Sequence, residues 1–208
     1  MSNIIQGSPE WFSMRCGFVT ASRVVDVLAT IKNGEAATRK SYKADLVVER
    51  LTGQKTESFT NAAMQWGTDT EQQARMAYEI KTGNDVDLDS FVKHPRIDWF
   101  GCSPDGYVGE DGLIEIKCPY NTAIHLEYIE ADEPPKKYYT QMQAQMACTD
   151  RKWCDFVSFD PRLPDGLEIL IVRVERDDDF IANMEEEVKK FLSEVQQKVE
   201  LLKEKQNG

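Results

Sequence analysis

The sequence predicts a mixed α/β protein of the α+β type, in which a central mixed β-sheet is flanked by helices. Helical spacing of apolar residues dominates residues 1–83, and short β-type runs with glycine or proline between them follow. With 208 residues and 41% hydrophobic content, the chain can bury one substantial core. We therefore expect one domain over residues 1–208, with a sheet part at 84–176 and an amphipathic helix at 177–208.

Four helices are predicted in the N-terminal part. The first begins after Ser8, which precedes a proline, and Thr20 is predicted to cap a second helix that runs to about Ile31. The other two are predicted over 38–53 and 62–82, because apolar residues recur there at helical spacing and a glycine ends each run.

Beyond residue 83 the spacing of apolar residues changes, and this spacing predicts the strands and the remaining helices. Strands are predicted over 86–92, 99–102, 106–108, 113–118, 153–159 and 167–174. Helices are predicted over 125–130 and 138–148, and a long one begins after Asp177, with apolar residues every three or four positions. This last stripe is expected to pack within the monomer, the commoner case, or at a subunit interface.

Cysteine and histidine usage excludes several classes of site. The five cysteines are scattered without a CxxC pair, so we expect buried free thiols rather than disulfides or a zinc knuckle. Two histidines are too few for a multi-histidine metal cluster, so any metal is expected to be hard and bound by oxygen. No apolar run reaches the roughly 18 residues that span a bilayer, and no secretory signal is recognised, which predicts a soluble cytoplasmic protein without a membrane partner.

The net charge of −11 argues against a nucleic-acid partner when it is taken alone. Its distribution is uneven, because residues 1–55 hold eight Lys/Arg against five Asp/Glu, a net charge of +3 that leaves −14 for the remainder. The N-terminal segment is therefore expected to face phosphates, with the acidic surface towards solvent.

Three charged residues in the strand region suit phosphodiester hydrolysis. Side chains alternate across a strand, so Glu115 and Lys117 share one face, and the turn at 109–112 is expected to bring Asp105 towards Glu115. Two carboxylates can hold Mg²⁺, and a lysine can position the attacking water and offset developing charge. The alternative is a same-face ion pair on an exposed strand, worth less than about 1 kcal/mol.

Several spaced motifs carry a family resemblance. Ser-Pro-Asp-Gly at 103–106 followed by Glu-Ile-Lys-Cys-Pro at 115–119 resembles the active-site signature of the lambda exonuclease, or YqaJ-like viral recombinase, branch of the PD-(D/E)xK nucleases. Matching segments occur in consistent order, so that the resemblance spans about Ser8 to Arg176. These further segments are 15–22, 66–71 with its continuation to Tyr78, 141–143 and 159–162.

The resemblance implies a restriction-endonuclease-like core and a metal site. Asp105, Glu115 and the backbone carbonyl of Ile116 are expected to bind metal, with Lys117 beside the attacking water. Glu71 is expected to complete a second metal site or to orient water, although it could be an ordinary solvated helix residue. The implied cofactor is Mg²⁺, two ions per active site, with Mn²⁺ as a substitute.

The resemblance also implies a pocket for the terminal 5′ phosphate of one strand. By position, Arg15, Ser22, Ser103 and Gln141 are expected to supply it, and the arginine fork suits a phosphate. Structural alternatives stay open for three of them: Arg15 could offset a helix C-terminal dipole, Ser22 could lie on a solvated helix face, and Gln141 could be polar surface. The tryptophans at positions 11, 66 and 99 are assigned no role.

The expected activity is a Mg²⁺-dependent 5′-to-3′ exonuclease of double-stranded DNA that releases 5′-mononucleotides and leaves 3′ single-stranded DNA for recombination by strand annealing. The family resemblance further implies a homotrimeric ring around DNA, a single-strand annealing partner, and a phage or prophage protein in a bacterial host cell. Two alternatives stay open: a PD-(D/E)xK endonuclease, and a non-catalytic DNA-binding recombination scaffold.

Overall fold

The structure is a computed structural model that describes residues 7–56 and 61–207. Within these residues the helices are α1 Pro9–Arg15, α2 Val24–Val27, α3 Ala37–Thr52, α4 Ala62–Thr82, α5 Thr122–Ala131, α6 Lys136–Thr149 and α7 Asp178–Asn207. The strands are β1 Val19–Thr20, β2 Val86–Asp87, β3 Val92–Lys93, β4 Phe100–Cys102, β5 Gly106–Val108, β6 Gly112–Lys117, β7 Trp153–Phe159 and β8 Ile169–Glu175. We find no helix here with the length and hydrophobicity that a bilayer crossing requires.

The strands form two mixed sheets rather than the one central sheet that was expected. The larger sheet has the order β2-β5-β6-β7-β8, with β6 and β7 parallel and the other pairs antiparallel, and the smaller has the order β1-β4-β3. The predicted strand 86–92 is divided, because β2 pairs with β5 and β3 pairs with β4. Between them the Asp89 carboxylate accepts from the Ser90 N–H, which satisfies the backbone where the chain changes sheet.

The prediction of a helix from Thr20 to about Ile31 is wrong. Val19 and Thr20 instead form β1, which runs parallel to β4, and a short 3₁₀ turn leads into the four-residue helix α2. Thr20 makes no helix-capping side-chain bond, and its backbone N–H donates to the hydroxyl of Tyr42 at 3.1 Å. The two adjacent β-branched residues are buried in a pleated pairing, which outweighs the capping preference of threonine.

Strand β6 is covered on both faces, which fixes the geometry of the residues it carries. On one face Ile114 and Ile116 pack in a cluster with Ala74 and Tyr78 of α4. On the other face Leu113 packs in a cluster with side chains of α6, Met142 and Met146. Charged residues on this strand therefore lie between two helices rather than on an open surface.

The apolar stripe of α7 packs within the chain, as the commoner case predicted. Met184, Val188, Phe191 and Val195 are at most 1% exposed and belong to a core cluster that includes residues of α2, α3 and α6. Beside this stripe, Glu194 accepts from Arg39 and Lys43 of α3. These two cations of the N-terminal segment therefore bind an acidic side chain of the same protein rather than facing outwards.

The buried His125 holds the connection between β7 and β8, and we expect its loss to destabilise the protein. Nε2 donates to the Leu167 carbonyl at 2.8 Å, so that Nδ1 accepts from the Ser158 hydroxyl at 2.6 Å. We expect His125→Leu to lower the free energy of unfolding by about 1–3 kcal/mol, because the buried hydroxyl loses its partner. Urea unfolding measures this, with the exposed Glu127→Ala on the same helix as control. Equal midpoints for the two variants would refute this role.

Candidate active site

The residues singled out by sequence come together in one cleft of about 630 Å³. Its lining includes all nine of them: Arg15, Ser22, Glu71, Ser103, Asp105, Glu115, Ile116, Lys117 and Gln141. They come from the N-terminal segment, α4, the β4–β5 connection, β6 and α6. Segments that are distant in sequence therefore share one solvent-accessible space.

Asp105 lies against β6 because of the hairpin that follows it. Gly106 pairs with Ile114, and the Oδ2 of Asp105 accepts from the backbone N–H of Ile116 at 2.7 Å. A side chain at position 106 would not fit, since its Cβ would lie 2.2 Å from the Cγ1 of Val86. The glycine thus allows β2 and β5 to approach closely directly after Asp105.

Glu115 is fully buried, so it is not part of an exposed ion pair. Its Oε1 accepts from the Gln141 side chain at 2.7 Å and from the ammonium of Lys117, and its Oε2 accepts from Gln145 at 2.6 Å. A buried carboxylate is costly unless it is paired and hydrogen-bonded, and these three donors meet that need. The carboxylate is held in one orientation at the floor of the cleft.

Lys117 places a positive charge beside these carboxylates. Burial alone would lower its pKa, but the carboxylates of Glu115 and Asp105 raise it above the ordinary lysine value. Its ammonium also lies 5.1 Å from the centre of the Tyr138 ring, within the range of a cation–π contact. Lys117 is therefore protonated at neutral pH in this structure, and its ammonium donates a hydrogen bond to Glu115.

Asp105 has an elevated pKa, first because of burial and then because of the negative charges of Glu115 and Glu71. Glu71 itself accepts from the guanidinium of Arg75 at 3.0 Å, one helical turn further along α4. Glu71 therefore contributes to the potential at Asp105. It is not an isolated surface residue.

Arg15 lies in the cleft with unused hydrogen-bonding capacity. Its guanidinium carbon is 3.8 Å from the centre of the Trp11 ring, and burial lowers its pKa to about 10. The Nε–H is buried and has no acceptor among residues 7–56 and 61–207. A partly buried guanidinium that is still protonated at neutral pH and has an N–H without an acceptor favours an anionic ligand.

The other three residues of the predicted phosphate pocket have different surroundings. The Ser103 hydroxyl accepts from the indole N–H of Trp11 at 3.1 Å, and the Ser22 hydroxyl lies 3.4 Å from that of Thr20. Both line the cleft with Arg15. The Gln141 amide instead donates to Glu115, so in this structure it orients a carboxylate.

A second cavity of about 720 Å³ continues the cleft on the side of Arg15. It shares Arg15, Ser22 and Glu71 with the cleft and adds Arg23, Lys55 and Arg75 to its lining, among other residues. Three cations of the net-positive N-terminal segment therefore face this space, although Arg23 and Lys55 are each bound to a carboxylate. The positive charge lies next to the carboxylates of the cleft.

The residues of the floor fit a hard divalent cation. Asp105 and Glu115 offer carboxylate oxygens, and the Gln145 Oε1 is buried without a hydrogen-bond donor in the described part of the chain. Mg²⁺ is commonly bound by one or two carboxylates, with substrate phosphate and water completing its shell. Within residues 7–56 and 61–207, no three or more His, Cys, Asp or Glu side chains converge closely enough to hold an ion, so the set with Glu71 is not assembled.

Gln145, Tyr138 and Trp11 have contacts in the site that the sequence interpretation missed. Gln145 is one helical turn after Gln141 on α6, and both amides donate to Glu115. That i, i+4 spacing was the available signal for Gln145. Gln143, in the predicted motif, instead bonds the backbone near Asp177 and connects α6 to the start of α7. No sequence signal pointed to Trp11 as the donor to Ser103.

Residues 10–152 match the family model described as the YqaJ-like viral recombinase domain. The chain belongs to the YqaJ-like viral recombinase family. The matched range contains every candidate residue of the cleft, and the family expected from the motifs is thereby confirmed. It is a family of metal-dependent nucleases, and this YqaJ-like chain is accordingly an enzyme.

Solved structures confirm the predicted fold class for this YqaJ-like chain. An alkaline exonuclease, LHK-Exo, from Laribacter hongkongensis is 50% identical, with a TM-score of 0.90 over 96% of this chain and 98% of that one. The complex of LHK-Exo with dAMP gives the same values. A phage-related exonuclease from Haemophilus somnus 129PT, 19% identical, has a TM-score of 0.71 over 89% and 96% of the two chains and supports the fold alone. No curated protein sequence matches the chain.

Proposed function

We propose that this chain is a single-domain, Mg²⁺-dependent 5′-to-3′ exonuclease that acts on double-stranded DNA, releases 5′-mononucleotides and leaves 3′ single-stranded DNA for strand annealing. The observation that carries the proposal is the partly buried guanidinium of Arg15, whose Nε–H has no acceptor in the described part of the chain, in the same cleft as Asp105, Glu115 and Lys117. An anion site beside a hydrolytic centre suits an enzyme that holds a terminal phosphate. The LHK-Exo complex with dAMP, a nucleoside monophosphate, is consistent with such a product.

Some polar groups of the cleft orient the two carboxylates, and Lys117 acts on the reacting groups. Gln141 and Gln145 fix the Glu115 carboxylate, and the Ile116 N–H fixes that of Asp105. Lys117, kept protonated by these carboxylates, donates a hydrogen bond to the attacking water and offsets the charge that develops on the phosphate.

Asp105, Glu115 and the Ile116 carbonyl would hold Mg²⁺. When it is bound, the ion polarises the phosphoryl oxygen and lowers the pKa of water. Glu71 and a second ion belong to the proposal through the family resemblance. The chain's own contribution is a pair of oriented carboxylates, a protonated lysine beside them and an arginine pocket for the strand end.

The test compares linear and covalently closed circular duplex DNA in Mg²⁺ and in EDTA. The exonuclease degrades the linear duplex to mononucleotides in Mg²⁺ and leaves the circle intact, because it needs a strand end. Cutting of the closed circle would contradict the proposal in favour of the endonuclease alternative. Binding of both DNAs without any Mg²⁺-dependent product would contradict it in favour of the recombination scaffold.

Protons and Mg²⁺ are expected to compete for Asp105. Its pKa is raised, so lowering the pH through that value neutralises the carboxylate and removes a ligand, whereas raising the pH restores it. We expect the half-saturating Mg²⁺ concentration to rise by up to roughly tenfold for each pH unit below this pKa. Calorimetric Mg²⁺ titration at a series of pH values measures the effect without turnover. A Mg²⁺ affinity that is constant across the series would refute it.

The proposed assembly and setting follow from the family resemblance. We propose a homotrimeric ring around double-stranded DNA, a single-strand annealing protein as partner, and the cytoplasm of a bacterial host during phage recombination. Sedimentation equilibrium tests the ring, since the mass of three chains is expected and the mass of one chain would contradict it.

A further inference from the structure

The loop after β6 carries an exposed aromatic ring at the edge of the cleft. Tyr120 follows Lys117 by three residues and lines the same cleft, and the residue is 54% exposed. The Asn121 side chain caps α5 directly after it, so the loop is short and ends in a fixed helix start. The ring therefore lies in the same cleft as Lys117.

Arg162 holds the backbone on which this ring stands. Its Nη1 donates to the carbonyl of Tyr120 at 3.0 Å, and its Nη2 donates to the carbonyl of Pro119 at 3.1 Å. The guanidinium is in turn fixed by the fully buried Asp160, through bonds of 2.7 Å from both Nε and Nη2. The Asp-Pro-Arg segment at 160–162 thus ties the loop to the end of β7.

Trp66 of α4 contacts the Tyr120 ring directly. Its ring meets that of Tyr120 edge-on, with 6.4 Å between centroids and an interplanar angle of 80°. The Arg162 guanidinium lies over the indole, 4.5 Å from its centre. This edge contact orients the Tyr120 ring.

The other aromatic residues of the cleft are already covered. Among the described residues lining it, Trp11 is 6% exposed and lies under the guanidinium of Arg15. Tyr138 stacks on Phe156 at 5.6 Å and lies beneath the ammonium of Lys117. Tyr120 is the aromatic side chain of the cleft whose ring remains open to a ligand.

We propose that Tyr120 stacks on the nucleobase of the nucleotide that is being released, and that Arg162 is its positioning residue. This inference rests on the proposed function for the identity of the ligand, a 5′-deoxynucleotide. Every base has a flat π-face, so one aromatic side chain can serve all four, as an enzyme that degrades any sequence requires. Stacking of this kind strengthens binding by about 5- to 150-fold.

Calorimetry with two small molecules measures the contribution of the base without turnover. The probes are dAMP and 2-deoxyribose 5-phosphate, which share the sugar and the phosphate and differ in the base, each titrated into the protein in Mg²⁺. We expect the native chain to bind dAMP on the order of tenfold more tightly. Tyr120→Phe is expected to keep this preference and Tyr120→Ala to lose it, with the affinity for 2-deoxyribose 5-phosphate unchanged in both.

Arg162→Lys tests the positioning role, because a lysine keeps the charge but lacks the planar fork that contacts Asp160 and both carbonyls. We expect it to lose most of the base preference at unchanged sugar-phosphate affinity, whereas the exposed Lys152→Ala keeps the preference. The stacking proposal is overturned if the native chain binds neither probe, if it binds both equally, or if Tyr120→Ala retains the preference. An unaltered preference in Arg162→Lys would overturn the positioning role.

The outcomes also separate this inference from the proposed function. A chain that prefers dAMP through Tyr120 but degrades no DNA would contradict the exonuclease alone. A chain that degrades linear duplex without a base-dependent preference would contradict the stacking alone.

Discussion

Lys117→Ala is expected to lower the rate of mononucleotide release from linear duplex DNA by about 10²–10³-fold. The lysine is kept cationic by Glu115 and Asp105, and its removal takes away both the donor to the attacking water and the positive charge beside the reacting phosphate. The fold is expected to persist, because Glu115 keeps its bonds from Gln141 and Gln145. Single-turnover cleavage measures the loss.

The matched control for this variant is Lys152→Ala, which removes a lysine whose side chain is 70% exposed and outside the cleft. We expect this control to cleave at the native rate. Duplex binding is expected to change little in Lys117→Ala, since the effect lies in the chemical step. A variant that binds duplex normally and cleaves within a few-fold of the native rate would remove Lys117 from the mechanism.

Arg15→Ala is expected to abolish the preference for a 5′-phosphorylated strand end. Charge-assisted hydrogen bonds to the phosphate contribute about 1.5–3 kcal/mol, so the native chain is expected to favour the phosphorylated end by about 10- to 150-fold. Arg15→Lys is expected to keep part of this preference, because it preserves the charge without the fork. Initial rates on two duplexes that differ only in the 5′ phosphate measure it.

The chain offers a close control in Arg50. Burial also lowers the pKa of Arg50 to about 10, and its guanidinium lies over the ring of Trp99 at 4.3 Å. It donates to the carbonyl of Gly17, however, and is not part of the lining of the cleft. Arg50→Ala is expected to leave the end preference intact. Equal preference for both ends in the native chain, or the same loss in both arginine variants, would refute the assignment of Arg15.

The parts of the site that sequence could predict depend on local geometry. Alternation along β6 and the turn at 109–112 are sufficient to bring Asp105 and Glu115 together, because a hairpin and a pleat have fixed periods. The bounds of α4, Ala62–Thr82, were also predicted, since Gly83 ends the helical run, and the structure shows that the Asn61 side chain caps its start. The order of the motifs then indicated which segments meet.

The parts that sequence could not predict depend on long-range pairing. The burial of Thr20 in β1 results from its pairing with Gly101 of β4, 81 positions along the chain, and local propensity favoured a helix instead. The division of 86–92 between two sheets depends on the pairing of β2 with β5 and of β3 with β4, which local sequence pattern does not specify. The burial of Glu115 between helices likewise required the packing of α4 and α6 on β6.

The most direct test of the account follows each strand of a linear duplex that carries 5′ phosphates and distinct labels at its 5′ and 3′ ends. In Mg²⁺, the native chain is predicted to release the 5′ labels first, as mononucleotides, and to retain the 3′ labels in single strands. Asp105→Asn, which keeps the shape of the side chain but loses the negative charge, is predicted to release neither label. Release of the 3′ labels first, labelled internal fragments, or an active Asp105→Asn would contradict the account.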